Sequence, residues 1–484
     1  MLFNSYIFVL FFLPLCLVGY FGLNHFKCYK ASQLFLLLMS LWFYGYFNPS
    51  YLVIILASIG INYGFNLLFR TIRKKVLRKA ILAVAVAFNI GILFYYKYFD
   101  FFMVNASALI GAEYTLKNIL LPLGISFFTF QQLSYVIDCY REEVPQYDFL
   151  QYASFVVYFP QLIAGPIVTH DELVPQFMDE SRKAFNWDNM ARGLYIFALG
   201  LAKKVLIADV FGGAANWAFA NVSDLDSTNA ILGMLAYTIQ IYFDFSGYCD
   251  MAIGIAAMMN IDLPLNFNSP YKAITIADFW SRWHKTLTRF FTKYVYIPLG
   301  GNRKGLFRTC VNTMAVFLIS GIWHGANWTF ILWGCLHGIF SVLYKIFRKQ
   351  FDALPRALNW GITFLFVNMA WVLFRADSVA QAFDFLANVF AMDFAPVSSK
   401  LIGAFSSIEL IYVLNQTPLA DMGPNLLLAG YFLFAMILAV ASPNAYEKMC
   451  RFKPTLVNLL VASILIVWCV FSFAGVSTFL YFNF

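Results

Sequence analysis

Residues 51–69 read Tyr51-Leu-Val-Ile-Ile-Leu-Ala-Ser-Ile-Gly-Ile-Asn-Tyr-Gly-Phe-Asn-Leu-Leu-Phe69, an apolar run without a charged side chain. A helix that crosses the hydrocarbon core of a bilayer needs about 20 mainly apolar residues, and this run has that length. The run ends directly in the basic segment Arg70-Thr-Ile-Arg-Lys-Lys-Val-Leu-Arg-Lys79. Clusters of lysine and arginine mark cytoplasmic loops. We therefore predict a transmembrane helix that reaches the cytoplasm at Arg70.

The same pattern recurs along the chain. Of 484 residues, 61% are hydrophobic and only 12% are charged, whereas about 25% of the residues in soluble domains are charged. We predict an all-α polytopic membrane protein with about 11–12 transmembrane helices plus re-entrant and interfacial helices, and we treat residues 1–484 as a single transmembrane domain. The predicted spans are Ser5–Leu23, Ala31–Phe47, Tyr51–Phe69, Ala80–Tyr96, Ile119–Cys139, Asn189–Phe211, Ala230–Met259, Val311–Trp323, Trp328–Phe347, Trp360–Phe374, Leu426–Ala441 and Leu456–Ala474.

One further apolar segment, Tyr152–Val168, has the composition of a span but not its regularity. It contains Pro160, Gly165 and Pro166. Proline removes a helical hydrogen bond and glycine weakens the helix, so we expect a broken or re-entrant segment here.

Clusters of positive charge decide the predicted orientation. Residues 70–79, 345–356 and 448–453 each hold several lysines and arginines, and the positive-inside rule places these clusters in the cytoplasm. Counting spans from them puts both termini outside. The loop at residues 376–423 is less basic than these clusters and carries acidic side chains, among them Glu409 and Asp421. We expect this loop to be external.

The positive charge and the cysteines could indicate other classes of protein, but their placement argues against those classes. The net charge is +8, and many nucleic-acid-binding proteins are basic. Here the positive charges lie in short loops between apolar runs, so we expect a lipid bilayer as partner and no nucleic acid. The eight cysteines show no CxxC or CxH spacing, so we predict neither a metal site nor a disulfide framework.

A basic amphipathic pattern covers residues 275–294. If these residues form one helix that begins after an N-cap at Thr275, His284 lies on its apolar face. The opposite face carries the basic side chains Arg282, Lys285, Arg289 and Lys293. Helices of this type lie at membrane interfaces. Two interpretations of the basic face stay open: attraction to anionic lipid headgroups, or contact with the phosphates of a cofactor.

A second segment contains His324 and is followed by His337. It reads Phe317-Leu-Ile-Ser-Gly-Ile-Trp-His-Gly-Ala-Asn-Trp328. Ionisable groups at membrane depth are costly and indicate function by default. One uninterrupted helix would separate His324 from His337 by about 140° and about 20 Å along its axis. We expect Gly325 and Asn327 to break the helix instead. We therefore group His324 with His284 and interpret His337 as a packing or hydrogen-bonding residue.

Charges also interrupt two other apolar runs. The pair Lys203-Lys204 predicts a helix end or a water-filled cavity. Asp244 and Asp250 lie at the predicted depth of the membrane. Either could orient a histidine, line a polar tunnel or satisfy a broken helix.

Together with these residues, an ordered set of motifs resembles the membrane-bound O-acyltransferase (MBOAT) family, and within it the bacterial alginate O-acetyltransferase branch. The D-alanyl transferase of teichoic acids is a more distant relative. The resemblance covers nearly the whole chain. Its motifs are Leu121-Pro-Leu-Gly-Ile-Ser126, Phe159-Pro-Gln-Leu-Ile-Ala-Gly-Pro166, Asp244-Phe-Ser-Gly-Tyr248, Asp278-Phe-Trp280 with Arg282-Trp-His284, Tyr296-Ile-Pro-Leu-Gly-Gly-Asn-Arg303, Ser320-Gly-Ile-Trp-His-Gly325 and Phe374-Arg-Ala376.

The resemblance implies a fold and an activity. Members of the family surround a central tunnel and move an acyl group onto a hydroxyl. The near-universal histidine of the family matches His324, and its second polar residue matches His284. The alginate-type branch takes acetyl groups from a cytoplasmic donor, for which we expect acetyl-CoA as a substrate rather than a permanently bound cofactor. We accordingly expect a bacterial inner-membrane enzyme that serves O-acetylation of an exported or cell-wall polysaccharide.

Imidazole chemistry suits this activity. A hydroxyl is a poor nucleophile until a base accepts its proton, and a histidine with an ordinary pKa of about 6.5 does this near neutral pH. We assign His324 as the base, while His284 would position the donor thioester or polarise its carbonyl. A covalent acyl-histidine route stays open. The alternative is a transporter or flippase without group transfer, which would also explain broken helices and buried charges.

The polysaccharide also implies a partner. A large hydrated polymer cannot enter a hydrocarbon-lined tunnel, and the longest predicted external stretch, residues 376–423, contains no histidine for a hydrolase-like site. We expect a separate extracytoplasmic protein to complete the transfer. The resemblance indicates a serine-dependent hydrolase-like acetyltransferase or a small acyl-carrying membrane protein.

Overall fold

The computed structural model of the chain describes residues 1–475 and 479–480, and at positions 408, 409, 474 and 475 it describes the backbone alone. Most of the described residues are helical. The side chain of Glu409, one of the acidic groups of the predicted external loop, and that of Ala474, at the end of the last predicted span, lie outside the described part.

The helices follow one another with short connections. Up to residue 258 they are α1 Leu13–His25, α2 Tyr29–Gly45, α3 Ser50–Thr71, α4 Lys75–Leu93, α5 Phe99–Ile110, α6 Ile125–Tyr140, α7 Phe149–Val157, α8 Phe159–Leu162, α9 His170–Met178, α10 Trp187–Ala202, α11 Asp209–Ala220 and α12 Ser227–Met258. After it they are α13 Ile276–Arg282, α14 Lys285–Phe291, α15 Gly305–His324, α16 Trp328–Ile346, α17 Arg348–Ala353, α18 Arg356–Arg375, α19 Val379–Phe390, α20 Ser399–Ala404, α21 Ile408–Leu414, α22 Gly423–Val440, α23 Ala445–Cys450 and α24 Leu456–Phe471.

In the described part of the chain, seven helical segments are long and apolar enough to cross a bilayer. They are Phe8–His25, Ser50–Thr71, Lys75–Ile110, Gly305–His324, Trp328–Ile346, Arg356–Arg375 and Ala420–Val440. Other predicted spans coincide with helices outside this set, such as α2 and α24, which are shorter, and α12, which has 32 residues. The prediction of an all-α polytopic membrane protein is confirmed.

Contacts within the chain divide it into two compact units. The first comprises Met1–Leu199, Tyr248–Leu265 and Phe452–Ile464. The second comprises Gly200–Gly247, Asn266–Arg451 and Leu465–Phe484. The second unit contains His284, His324 and His337, so the candidate site can be described within it.

Hydrogen bonds between buried amides join apolar helices of the first unit. Asn62 on α3 donates to the side-chain oxygens of Asn89 on α4 and Gln132 on α6, over 3.1 and 2.7 Å. Asn89 donates back to Asn62 over 2.7 Å. Helices in lipid gain little from the hydrophobic effect, so polar pairs and close packing determine how they associate.

Two predicted segments of this unit show where proline and glycine act. The segment Tyr152–Val168 is broken as predicted: α7 ends at Val157, and the one-turn helix α8 carries Pro160 near its start. The span predicted from Ile119 begins later, because α6 starts only at Ile125, after Gly124 with φ +70°. Glycine adopts this left-handed conformation without the steric cost of a Cβ.

The pair Lys203-Lys204 does not end a helix. The chain stays helical from α10 through a π-helical turn, Lys203–Ala208, into α11. The prediction of a helix end is therefore wrong. The wider turn accommodates a buried ion pair, since the Lys204 ammonium lies 2.8 Å from Asp209 Oδ1 and 2.7 Å from Asp244 Oδ1. Single π-turns of this kind are frequent at functional positions in helices.

In the second unit, α15 and α16 form an antiparallel hairpin. The two backbones approach closely at glycines: a Cβ on Gly321 would lie 2.4 Å from the carbonyl oxygen of Phe330, and one on Gly334 would lie 2.5 Å from that of Phe317. Small residues at such crossings let membrane helices pack backbone to backbone. The hairpin thereby packs residues that precede its turn against residues that follow it.

Candidate functional site

His324 is the last residue of α15, at the turn of the hairpin. Gly325 is extended, and the Asn327 side chain caps α16 by accepting a hydrogen bond from the backbone of Thr329 over 3.1 Å. The predicted helix break at Gly325 and Asn327 is thus present. His324 is 3% exposed, so the turn places an imidazole inside the protein at a helix end.

Aromatic rings surround His324. Its ring centroid lies 4.9 Å from that of Trp323, 5.1 Å from Trp333 and 5.1 Å from Phe374. Aromatic contacts at these separations are attractive and hold the rings in place. The imidazole therefore has a defined orientation in a site from which most water is excluded.

His337 lies deeper in the hairpin and is fully buried. The Trp280 indole donates a hydrogen bond to His337 Nδ1 over 3.3 Å. Because an indole nitrogen is only a donor, Nδ1 accepts and Nε2 carries the proton of the neutral ring. His337 also stacks against Phe317, with centroids 6.2 Å apart, and Phe317 lies about 10 Å below His324 along α15. A hydrogen-bonding role for His337, as predicted, agrees with this geometry.

The segment predicted as one amphipathic helix, residues 275–294, is in fact broken at the residue of interest. α13 ends at Arg282, α14 begins at Lys285, and His284 between them has φ +44°. The reason is pairing with a neighbouring loop: the backbone N–H of Lys285 donates to Asn266 O, and that of Asn268 to Arg282 O, both over 2.9 Å. These bonds offset the cost of a left-handed residue, about 1–2 kcal/mol.

The N-cap at Thr275 is confirmed, and so is the burial of His284. The Thr275 hydroxyl accepts from the backbone of Asp278 over 3.2 Å, whereas the Asp278 carboxylate accepts from Ile274 rather than from Thr275. Although the single helix does not form, His284 points inward and is 0% exposed.

Asn266 orients His284. Its Oδ1 accepts from the Thr286 backbone N–H over 3.3 Å and from the Thr286 hydroxyl over 2.9 Å, which shows that the oxygen of the amide faces this side. His284 Nδ1 lies 3.1 Å from the same oxygen. Nδ1 must therefore donate, and in the neutral ring the lone pair sits on Nε2.

Burial also decides the charge of this ring. Removal from water lowers the pKa of His284 from 6.5 to about 3, because desolvation disfavours the imidazolium form. At neutral pH the side chain is an uncharged acceptor at Nε2. It is suited to receiving a hydrogen bond, whereas polarising a carbonyl would require a donor there.

One indole connects the two predicted catalytic histidines. The Trp323 centroid lies 6.2 Å from that of His284 and 4.9 Å from that of His324. The structure thus brings His284 and His324 to the same tryptophan, in agreement with their grouping from sequence. A single neighbourhood holds one imidazole from the end of α15 and one from the break between α13 and α14.

The predicted basic residues divide into two groups. Lys285, Arg289 and Lys293 line a shallow pocket of about 310 Å³ beside Trp280. Arg282 lies outside this pocket, since its Nε is paired with Asp278 over 2.7 Å. Lys285, Arg289 and Lys293 therefore lie together at one pocket, and Arg282 does not line it.

A larger cavity of about 640 Å³ lies between α13, α14, α15 and α16. Its walls are mainly apolar, with Trp280 and Phe317 among them, and Lys345 and Arg348 at one end. Ser320 lines it at the other end of α15, one helical turn, about 6 Å, from His324. The cavity therefore connects a basic rim with the neighbourhood of the histidines.

Of the two aspartates singled out from sequence, Asp244 contacts a lysine and a backbone N–H. Asp244 pairs with Lys204 and accepts a hydrogen bond from the Leu480 backbone over 2.8 Å. Its neighbour Phe245 contacts His284, with centroids 4.9 Å apart. Asp250 is buried in the first unit.

Sequence reasoning missed Asn266 and both site tryptophans. Asn266 belongs to the stretch Asn266-Phe-Asn-Ser-Pro270, whose composition predicts a turn and no more. Trp323 adjoins His324 in sequence and could have been proposed from that alone. Trp333 could not, because only the hairpin brings it back to His324.

Comparison of the sequence with known proteins shows the family to which the chain belongs. The profile of MBOAT, the membrane-bound O-acyltransferase family, matches residues 74–379. A peptidoglycan O-acetyltransferase of Helicobacter pylori is 43% identical over 423 residues, covering 81% of this chain and 80% of that protein. A probable alginate O-acetylase AlgI of Azotobacter vinelandii is 38% identical over 424 residues, covering 86% and 83%. A teichoic acid D-alanyltransferase of Bacillus subtilis is 29% identical over 284 residues, covering 53% and 69%.

The matched range includes His284, His324 and His337 together with the hairpin that carries two of them. Membership also decides between the two classes considered from sequence, since members are acyltransferases rather than transporters without group transfer. The chain is a multi-pass membrane acyltransferase of the membrane-bound O-acyltransferase family.

Proposed function

We propose that this enzyme transfers an acetyl group from cytoplasmic acetyl-CoA across the membrane for O-acetylation of an exported or cell-wall polysaccharide. The observation that carries the proposal is the 640 Å³ cavity, which runs from Lys345 and Arg348 to within one turn of His324. The polysaccharide acceptor is inferred from relatives named for O-acetylation of peptidoglycan and alginate.

The cavity fits a donor of mixed polarity. Its apolar walls suit an acyl thioester arm, while Lys345 and Arg348 at the rim suit phosphates, which bind ammonium and guanidinium groups through charge-assisted hydrogen bonds. The Lys345 ammonium donates to the Thr313 hydroxyl over 2.6 Å, which holds it at the edge of the cavity. The pocket of Lys285, Arg289 and Lys293 offers a second anionic contact on the same side of Trp280.

The hairpin supports transfer from one side of the membrane to the other. Lys345 and Arg348 belong to a cluster that the positive-inside rule assigns to the cytoplasm. α15 has 20 residues, and such a helix extends about 30 Å. It therefore carries His324 toward the opposite side, where the Asn327 side chain donates to the carbonyl of Asp377 over 2.8 Å. Asp377 is the second residue of the stretch predicted to be external.

The two histidines take different roles in this mechanism. His324 accepts the proton of the acceptor hydroxyl while the hydroxyl oxygen bonds to the thioester carbonyl carbon. The carbon–sulfur bond then breaks, and the proton passes from His324 to the departing thiolate, which leaves as CoA thiol. His284 positions the donor by accepting a hydrogen bond at Nε2, for example from an amide N–H of the thioester arm.

We expect cysteine labelling to test the proposed orientation. Both termini should be extracytoplasmic, and loops 70–79 and 345–356 cytoplasmic, because these loops hold the largest clusters of positive charge. Single cysteines introduced there, in a background lacking Cys28 and Cys450, should react with an impermeant maleimide only after the cells are opened. A cysteine introduced in residues 376–423 is the matched control and should react in intact cells. Labelling of residues 70–79 from outside would contradict the orientation.

The transfer itself is tested in proteoliposomes with labelled acetyl-CoA inside and unacetylated polysaccharide outside. Without a partner to supply the acceptor hydroxyl, we expect the purified protein to release CoA thiol by transferring the acetyl group to water, which gives acetate. The polymer should stay without label, because residues 376–423 contain no histidine for a Ser–His site outside the membrane. A second, extracytoplasmic protein, serine-dependent or acyl-carrying, would complete the transfer.

The outcomes separate the two parts of this proposal. Thiol release no faster than in vesicles without protein would refute acetyl-CoA as the donor. Robust labelling of the polymer by this protein alone would refute the need for a partner and leave the donor assignment intact.

A further inference from the structure

A buried charge cluster lies next to the site without lining its cavity. Lys204 Nζ is 2.7 Å from Asp244 Oδ1 and 2.8 Å from Asp209 Oδ1, and the three side chains are 4%, 2% and 10% exposed. Charges at this depth are stable only when they are paired and hydrogen-bonded. Because two carboxylates share the single ammonium of Lys204, a further hydrogen-bond donor stabilises the charge of Asp244.

The chain itself supplies that donor. The Leu480 backbone N–H donates to Asp244 Oδ2 over 2.8 Å. The segment Phe479–Leu480 is buried, at 2% and 8% exposure. The two oxygens of Asp244 thus have different roles, because one binds the lysine while the other anchors a segment 236 residues away in sequence.

The anchored segment leads back to His284. The Phe479 ring lies 5.7 Å from that of Phe245, and Phe245 lies 4.9 Å from His284 in an edge-to-face arrangement. Asn266 holds one side of the imidazole through Nδ1 over 3.1 Å. Phe245 contacts the His284 ring, and Phe479 packs against Phe245.

Building on the proposed function, we propose that Asp244 is a positioning residue: with Lys204 it anchors Phe479–Leu480 so that Phe479 holds Phe245 against His284. The cluster acts on the imidazole through these two rings. A displacement of about 1 Å at a positioned group is enough to lower the rate of a reaction about 100-fold.

The test compares Phe479→Ala with Phe385→Ala in the purified full-length protein. Phe385 is equally buried but stacks on Phe219, 4.4 Å away. The first readout is modification of His284 by diethyl pyrocarbonate, located by peptide mass spectrometry, with buried His170 of the first unit as internal standard. We expect Phe479→Ala to accelerate modification of His284 about tenfold, because local opening becomes easier, and Phe385→Ala to leave it unchanged.

The second readout is the kinetics of thiol release from acetyl-CoA. Phe479→Ala should lower kcat/KM for acetyl-CoA, because His284 contacts the donor through Nε2, and Phe479→Leu, which restores bulk, should recover most of the rate. Should Phe479→Ala fail to fold, Leu480→Pro removes the anchoring N–H and keeps the aromatic ring, and it should give the same two changes. Equal His284 modification in the Phe479 and Phe385 variants would overturn the proposal. The labelling needs no activity, so a failure of the proposed transferase function would be seen separately, as absence of thiol release by the unmodified protein.

Discussion

Replacing His324 with alanine should reduce acetyl transfer by about 10²–10⁴-fold, the usual contribution of a general base. The imidazole is buried at the end of α15 between Trp323, Trp333 and Phe374. No solvent base can replace it in such a site. The measurement is the initial rate of thiol release from acetyl-CoA in the presence of a hydroxyl acceptor.

Two companion variants separate chemistry from packing. His324→Gln keeps most of the side-chain volume among the aromatic rings but cannot accept and return a proton, so it should lose as much activity as His324→Ala. His25→Ala is the control, because His25 is exposed at the end of α1 and should keep full activity. A His324→Gln enzyme with near-normal turnover would show that His324 is not the base.

Replacing Gly334 with valine should destabilise the protein by about 3 kcal/mol, the upper end of the usual cost of overpacking. A Cβ at this position would lie 2.5 Å from the carbonyl oxygen of Phe317 and 3.1 Å from Cα of Gly321. Both neighbours are backbone atoms, which cannot rotate away as a side chain can. The hairpin would have to separate, and with it the contact between Trp333 and His324.

The readouts are the thermal unfolding temperature in detergent and the transfer rate. Gly361→Val on α18 is the matched control, because nothing lies within 4 Å of a Cβ at that position. Both variants gain the same small helix propensity when valine replaces glycine, below about 1 kcal/mol, so the difference between them reports the packing of the hairpin. We expect Gly334→Val to unfold at a clearly lower temperature; equal unfolding temperatures would contradict the predicted clash.

The segment around His284 shows how far sequence reasoning reached. Its periodicity correctly placed the imidazole inside the protein and Thr275 at a helix start. It predicted one helix where there are two, because periodicity reports only neighbours within a few turns. The break depends on hydrogen bonds to Asn266 and Asn268, and no local propensity indicates that these residues lie beside His284.

The buried charges show the same limit. From sequence, Lys203-Lys204 and Asp244 were exceptions in apolar runs, and three interpretations of the aspartates were equally open. The structure pairs Lys204 with Asp244 and Asp209 inside a continuous helix. A π-turn lies where a helix end was predicted. The helix continues because Asp209 and Asp244 neutralise the charge of Lys204.

The sequence by itself determined that the protein is an all-α membrane acyltransferase, and it singled out His284 and His324. These conclusions need only local features of the sequence. The length of an apolar run indicates whether a helix can cross the bilayer, and the order of motifs identifies the family. The tertiary structure alone decided that Trp323 joins the two imidazoles, that Asn266 selects a tautomer, and that a 640 Å³ cavity ends near His324. Cavities and hydrogen bonds between distant residues arise from packing helices together, and no single stretch of sequence contains that information.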